Sequence, residues 1–269
     1  MIFLAKWFKN LDYIYFEAPF SNNKKAKVFS HKQNADFIVN YNYKQIYSVN
    51  DFQENALPYI MHPGNYMQGE VNKLPKKAGI LMSGNFEEKI YNTKTIQLNF
   101  GLLNRWEIYQ EVIKYNEIIS VSGTDFVNEL DSNRFNGKFV LMKWQSGAIP
   151  TDKWRHYLSA ADFIFCAPGM TMPMCHNVLE AMSVGVIPIL NYAHWLNPSL
   201  QNDYNCLVYE KVGDIKIVID KALSMSGETK NKMMKNVLDY YSQYYQNFDF
   251  EKSGSKDLIL LNENTNDLK

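Results

Sequence analysis

From residue 78 onward the chain repeats one pattern: a short apolar run, a polar turn, then a stretch with helical spacing. The runs are Ile80-Leu81-Met82, Ile118 to Val121, Phe139-Val140-Leu141-Met142, Phe163-Ile164-Phe165-Cys166 and Val186-Ile187-Pro188-Ile189-Leu190. None alternates cleanly between apolar and polar residues, so each reads as a strand buried on both faces. Between them lie helix patterns: Trp106, Tyr109, Val112 and Ile113 after Asn104; Trp154, Tyr157, Leu158 and Ala161; and Val178 to Ser183, stopping near Gly185. Strands that alternate with helices of this length predict βαβ units and an α/β fold with one Rossmann-like parallel sheet.

The first part of the chain reads differently. Residues 1–75 hold short strand-like pieces, Tyr13-Ile14-Tyr15-Phe16, Asp36-Phe37-Ile38-Val39 and Tyr59-Ile60-Met61, separated by Asn- and Lys-rich stretches. Asn72 to Lys77, with Pro75 inside it, reads as a linker. Near the other end, Met234, Val237, Leu238, Tyr241 and Tyr245 form one stripe of a helix. The expected organisation is a small N-terminal α/β part at 1–75 and a main domain at 78–225. A helix at 228–250 then packs back on the first part, and a polar tail at 251–269 frays.

Several function classes are disfavoured at this stage. Lys+Arg and Asp+Glu number 28 each, a balance that argues against a bulk nucleic-acid binder. Cys166, Cys175 and Cys206 form no CxxC pair, which argues against a zinc or disulfide framework. No run approaches the roughly 18 apolar residues of a membrane span. The start of the chain shows no signal-peptide pattern, so a cytoplasmic protein is expected, with peripheral membrane association left open. No GxGxxG follows an early strand, which argues against a nicotinamide dehydrogenase.

A doubly wound sheet binds ligands beyond the carboxyl ends of its strands. The loop of interest is therefore Ala167-Pro168-Gly169-Met170-Thr171-Met172-Pro173-Met174-Cys175-His176. Gly169 permits unusual backbone angles, and a helix starting at Thr171 or Pro173 offers free N–H groups to a diphosphate. Glu180 lies one to two turns inside that helix, where an acceptor-only carboxylate suits neighbouring sugar hydroxyls. Met170, Met172 and Met174 read as packing residues. His31, His156 and His194 read as structural or exposed.

Pro168-Gly169, Glu180-Ala181-Met182, Gly185 and Ile187-Pro188-Ile189 together resemble the donor-site signature of GT-B glycosyltransferases, of the exostosin-like and group 1 kinds. Asp203 to Tyr209, followed by Asp214, resembles the later loop and strand of the same families. The resemblance spans about residues 78–225. It implies a GT-B-like fold with a small or truncated N-terminal part, and sugar transfer from a nucleoside-diphosphate sugar to a glycan, lipid-linked or small-molecule acceptor. It implies donor contacts at Glu180 (the ribose), Gly169, His176 and Asn177, with Arg105 neutralising the leaving diphosphate. The Lys143-Trp144 loop is expected at the nucleobase, with Trp144 as a stacking wall. Where the group 1 pattern has an earlier Glu, this chain has Met172; where exostosin-like proteins have Arg, it has Asn177. No DxD occurs, so metal-independent transfer with no cofactor is expected. His62 is the candidate general base. Residues 1–75 are few for an acceptor domain, which implies a minimal form or a missing N-terminal piece. A non-catalytic sugar-nucleotide- or glycan-binding subunit and a GT-B-like epimerase are the alternatives.

Overall fold

The computed structural model describes residues 70–246 apart from 171, 172 and 197, together with the backbone of four short strands. The chain divides into two compact units, residues 1–63 with 248–269, and residues 64–247. The boundary thus falls before the Asn72–Lys77 linker, and the larger unit runs past residue 225 to take in the last helix.

In the smaller unit, β1 (Tyr15–Glu17), β2 (Ile38–Asn40), β3 (Ala56–Pro58) and β10 (Leu260–Asn262) form a parallel sheet in the order β1-β10-β2-β3. The tail expected to fray therefore supplies an inner strand, with Leu261 opposite Phe16 on one side and Val39 on the other. Its apolar run Leu258-Ile259-Leu260-Leu261 is the physical reason.

The larger unit is built on six strands, all parallel. They are β4 (Ala78–Gly84), β5 (Ile118–Val121), β6 (Phe139–Lys143), β7 (Ala161–Phe165), β8 (Ile187–Leu190) and β9 (Leu207–Val208). Their order is β5-β6-β4-β7-β8-β9, the doubly wound Rossmann-like α/β sheet expected for this region. The inner strands are fully covered: Ile80, Leu81, Phe139, Val140, Phe163 and Ile164 are each 0% exposed. Burial of each such side chain contributes about 1.5–3 kcal/mol, which is why unbroken apolar runs end in the middle of the sheet.

The helices that follow the strands are α1 (Glu88–Tyr91), α2 (Thr95–Phe100), α3 (Arg105–Val112), α4 (Gly123–Glu129), α5 (Thr151–Leu158), α6 (His176–Ser183), α7 (Asp214–Ser224) and α8 (Gly227–Tyr241). Asn104 opens α3 with a capping box: its side chain accepts from the Glu107 N–H, and Glu107 reaches back to the Asn104 N–H. The buried face of α3 is Arg105, Ile108, Tyr109 and Val112, so the apolar phase is set by Ile108, and Ile113 is exposed. Gly185 ends α6 at φ +77°, a backbone angle that suits glycine, and a Cβ there would meet Leu238 at 3.1 Å. That close approach seats α8, whose described contacts are with α6 and β8 of this same unit. Met233, Val237, Tyr240 and Tyr241 form its buried face.

Candidate functional site

β4 and β7 are neighbours at the centre of the sheet. The chain leaves β4 toward the β5 edge and leaves β7 toward the β9 edge. Loops that part in opposite directions leave a crevice at the carboxyl ends of the strands.

Arg105, the first residue of α3, fills the floor of this crevice. Its Nε donates to the Pro168 carbonyl at 3.0 Å, one terminal nitrogen to the Asn85 carbonyl at 3.4 Å, and the other to Cys175 Sγ at 3.3 Å. Tyr91 lies under the guanidinium, 4.3 Å from ring centroid to Cζ. One side chain thus ties together the end of β4, the loop after β7 and the start of α6. It is 8% exposed, and among the described residues no carboxylate lies within ion-pair distance of it. A guanidinium so withdrawn from water, held by neutral acceptors alone, is an unpaired positive charge that favours an anion.

The helix that begins here starts at His176, later than Thr171 or Pro173, with Cys175 as an extended N-cap whose side chain makes no capping bond. Apart from the Asn177 N–H, which bears on the Cys175 sulfur, its first N–H groups lack side-chain caps and add to the positive end of the helix dipole. Pro173 closes the preceding turn instead, accepting from the Gly169 N–H at 3.2 Å. Gly169 is not among the residues with positive φ.

Glu180 sits one turn in and is 1% exposed. Trp154 Nε1, on α5, donates to one carboxylate oxygen at 2.8 Å, and His176 Nδ1 lies 3.0 Å from the other. The carboxylate expected to meet a ribose is thus covered, and His176, with its side chain 60% exposed, is the member of this cluster that faces outward. Partial burial lowers the His176 pKa, but the Glu180 charge, assisted by Cys175, more than reverses this and brings it to about 9. Burial likewise raises the Cys175 thiol, while His176 and Arg105 outweigh it and leave the thiol below its ordinary value. Glu180, His176 and Arg105 with Cys175 are therefore one continuous polar array along the crevice.

Trp144 follows β6 in a short 3-10 turn and is 63% exposed, its ring free to take a flat partner. Lys143 ends β6 in register with Gly84 of β4, and its ammonium lies 5.3 Å from the Tyr109 ring centroid. Gln145 bridges two residues, donating to Asn85 Oδ1 at 2.5 Å and to Glu87 Oε1 at 3.3 Å. Asn177 is 7% exposed, and its Oδ1 has no hydrogen-bond partner among the described residues. Asn191 Oδ1, Tyr192 OH and Tyr209 OH share that state, and these three residues follow β8 and β9. Unsatisfied groups at one end of a sheet mark a polar interior that water or a ligand completes. His62 lies outside the described residues.

Trp154, Tyr91 and Cys175 are the site residues that sequence reasoning missed. Trp154 counted there only as part of an apolar helix face, and its indole N–H was the available signal. Among the described residues no group of three or more His, Cys, Asp or Glu is placed to hold a metal ion, and no helix is long and apolar enough to cross a membrane. A groove of about 330 Å³ lies elsewhere, where the chain enters β5. Its charges are met locally by Tyr115–Asp220, Lys216–Asp220 and Lys114–Glu111 contacts, so no unpaired group converges on it.

No protein-family model matches the sequence, and no curated protein matches it either. Among solved structures, the chain is similar to the C-terminal domain of the glycosyl transferase group 1 family protein LpcC from Francisella tularensis. The identity is 18% and the TM-score 0.38, covering 64% of this chain and 88% of that one. It is also similar to S. aureus TarM, solved with fondaparinux, alpha-GlcNAc-glycerol and UDP (12%, TM-score 0.43, covering 81% of this chain and 42% of that one). A third likeness is to WaaG, a glycosyltransferase of lipopolysaccharide biosynthesis (16%, TM-score 0.41, 74% and 54%). The chain thus spans about half the length of TarM and WaaG, and likenesses this remote carry no information about substrate.

Proposed function

We propose that the crevice between β4 and β7 is the donor site of a GT-B-type, metal-independent glycosyltransferase. The donor is a nucleoside-diphosphate sugar, and the acceptor is a glycan, a lipid-linked sugar or a small molecule. The observation that carries this reading is Arg105: a guanidinium 8% exposed, with no carboxylate partner among the described residues, at the switch point of a parallel sheet. Beside it stand the uncapped N-terminus of α6 and the His176 imidazolium. Arg105 and the α6 N-terminus put positive potential on one spot and match a diphosphate.

When the bond from the anomeric carbon to the diphosphate breaks, negative charge grows on the leaving oxygens. Arg105 and the α6 amides stabilise that charge without reorganising, because both are already fixed in place. Glu180 takes the ribose hydroxyls when the exposed His176 ring turns outward and frees its oxygen. Trp154 keeps the carboxylate oriented during that exchange. The base lies toward Trp144.

The test is a thermal-shift panel of UDP, GDP, ADP, CMP and their sugars on wild type, Arg105→Ala and Glu180→Ala. A ligand that binds only the folded state raises the melting point, by RT ln(1 + [L]/Kd) in free energy. One nucleotide should raise it in the wild type, with the shift largely gone in both variants; no shift with any nucleotide rejects the reading. A second reading, a non-catalytic sugar-nucleotide-binding subunit, is favoured by the cover over Glu180. Nucleotide binding without hydrolysis or transfer would decide for it.

A further inference from the structure

We infer that the donor's base is guanine, read by the Glu87 carboxylate against the Trp144 ring; this rests on the donor-site reading above. Asn85 is the link between the anion site and this second place. Its backbone carbonyl accepts from Arg105 at 3.4 Å, while its side-chain oxygen accepts from Gln145 at 2.5 Å and from the Glu87 N–H at 2.9 Å. In this proposal a nucleotide with its phosphates on Arg105 runs past Asn85 and sets its base at the Gln145–Glu87 pair. Trp144 precedes Gln145 in the chain, is 63% exposed and offers a flat apolar face.

What stands beside that face is acceptor-rich. Glu87 Oε1 is held by the Gln145 and Asn85 amides at 3.3 and 3.5 Å, so the side chain is oriented from behind. Its Oε2 meets Lys89 at 3.0 Å, and that lysine is 80% exposed. A pair of this kind is worth about 0–1 kcal/mol, so a base edge displaces it at little cost. Hydrogen bonds from Lys89 and then Gln145 hold the Glu87 carboxyl below the ordinary range, so it is ionised at neutral pH. An ionised carboxylate accepts two parallel hydrogen bonds and donates none. Guanine, with N1–H beside its N2 amino group, is the common base that offers two adjacent donors on one edge. Uracil offers one donor between two carbonyl oxygens, which the carboxylate repels. Adenine and cytosine each pair a single amino group with a ring acceptor.

Isothermal titration of the full chain with GDP, IDP, UDP, ADP and CDP tests this. Inosine lacks the N2 amino group, so GDP over IDP isolates the second hydrogen bond. Wild type should bind GDP roughly ten- to a hundred-fold more tightly than IDP or UDP, the discrimination typical of one bidentate base contact. Glu87→Gln should bring GDP down to the IDP level and should tighten UDP rather than weaken it, because the charge that repels the uracil oxygens is gone. Glu87→Ala should do the same, and both variants should keep the wild-type melting point, since the side chain is at the surface. Tightest binding of UDP, ADP or CDP, or a GDP preference that survives Glu87→Gln, overturns the base assignment and leaves the donor site standing. Binding of no nucleotide overturns both.

Discussion

A guanidinium that is 8% exposed, lies over the Tyr91 ring and hydrogen-bonds only to carbonyls and a thiol is held by its geometry, and its charge is left for something else. Lysine keeps the charge but loses the fork, so Arg105→Lys is expected to release the Pro168 carbonyl and Cys175 together. Nucleotide binding should then weaken by about tenfold or more, read by titration calorimetry, while the fold persists. The Trp154 bond to Glu180 has a different weight. Trp154→Phe leaves one oxygen of a buried carboxylate without its donor, at a cost of about 1–3 kcal/mol. In a domain of this size that is a fall in melting temperature of roughly 2–12 °C, measurable by calorimetry. His176 supplies the pH dependence. Its pKa rises from 6.5 to about 9 on folding, so the His176–Glu180 contact adds stability in full below pH 6.5. That contribution is lost as pH climbs toward 9, and a melting-temperature profile should show the decline. His176→Gln should flatten the profile in that interval.

The inner strands of the larger unit were legible because each carries an unbroken apolar run that the sheet buries on both faces; β5, read as buried too, is an edge strand with Ser120 exposed and its other residues half-covered. Helix starts were less so. Asn104 announces α3 through a capping box with Glu107, yet the start of α6 is marked by no capping side chain, and Thr171 and Pro173 pointed too early. Turn chemistry competes with helix chemistry over that loop, and which wins depends on bonds to distant residues such as Arg105. Glu180 stood out in the sequence through its neighbours Ala181 and Met182, but its cover by Trp154 did not, because that pairing spans 26 residues and two helices. Gly185 was readable as a helix stop; that it also makes room for Leu238 was not. Gly185→Ala combines a left-handed backbone with a Cβ pressed on α8, and should cost about 1–2 kcal/mol in urea unfolding.

The two units make separate predictions at the scale of the whole chain. A sheet whose inner strand comes from the far end of the sequence depends on that strand. Leu261→Pro removes a backbone donor from an inner strand. It should abolish the unfolding transition of the smaller unit in calorimetry and leave that of the larger unit in place. The larger unit carries the account of function, and its core assertion is a position: an anion on the crevice floor. A crystal structure of the chain soaked with a nucleoside diphosphate measures that position directly. Phosphate oxygens are expected within hydrogen-bonding distance of the Arg105 guanidinium and the first amides of α6. Phosphate seated instead in the groove beside Tyr115 and Lys216, with Arg105 still bound only to protein, would contradict it.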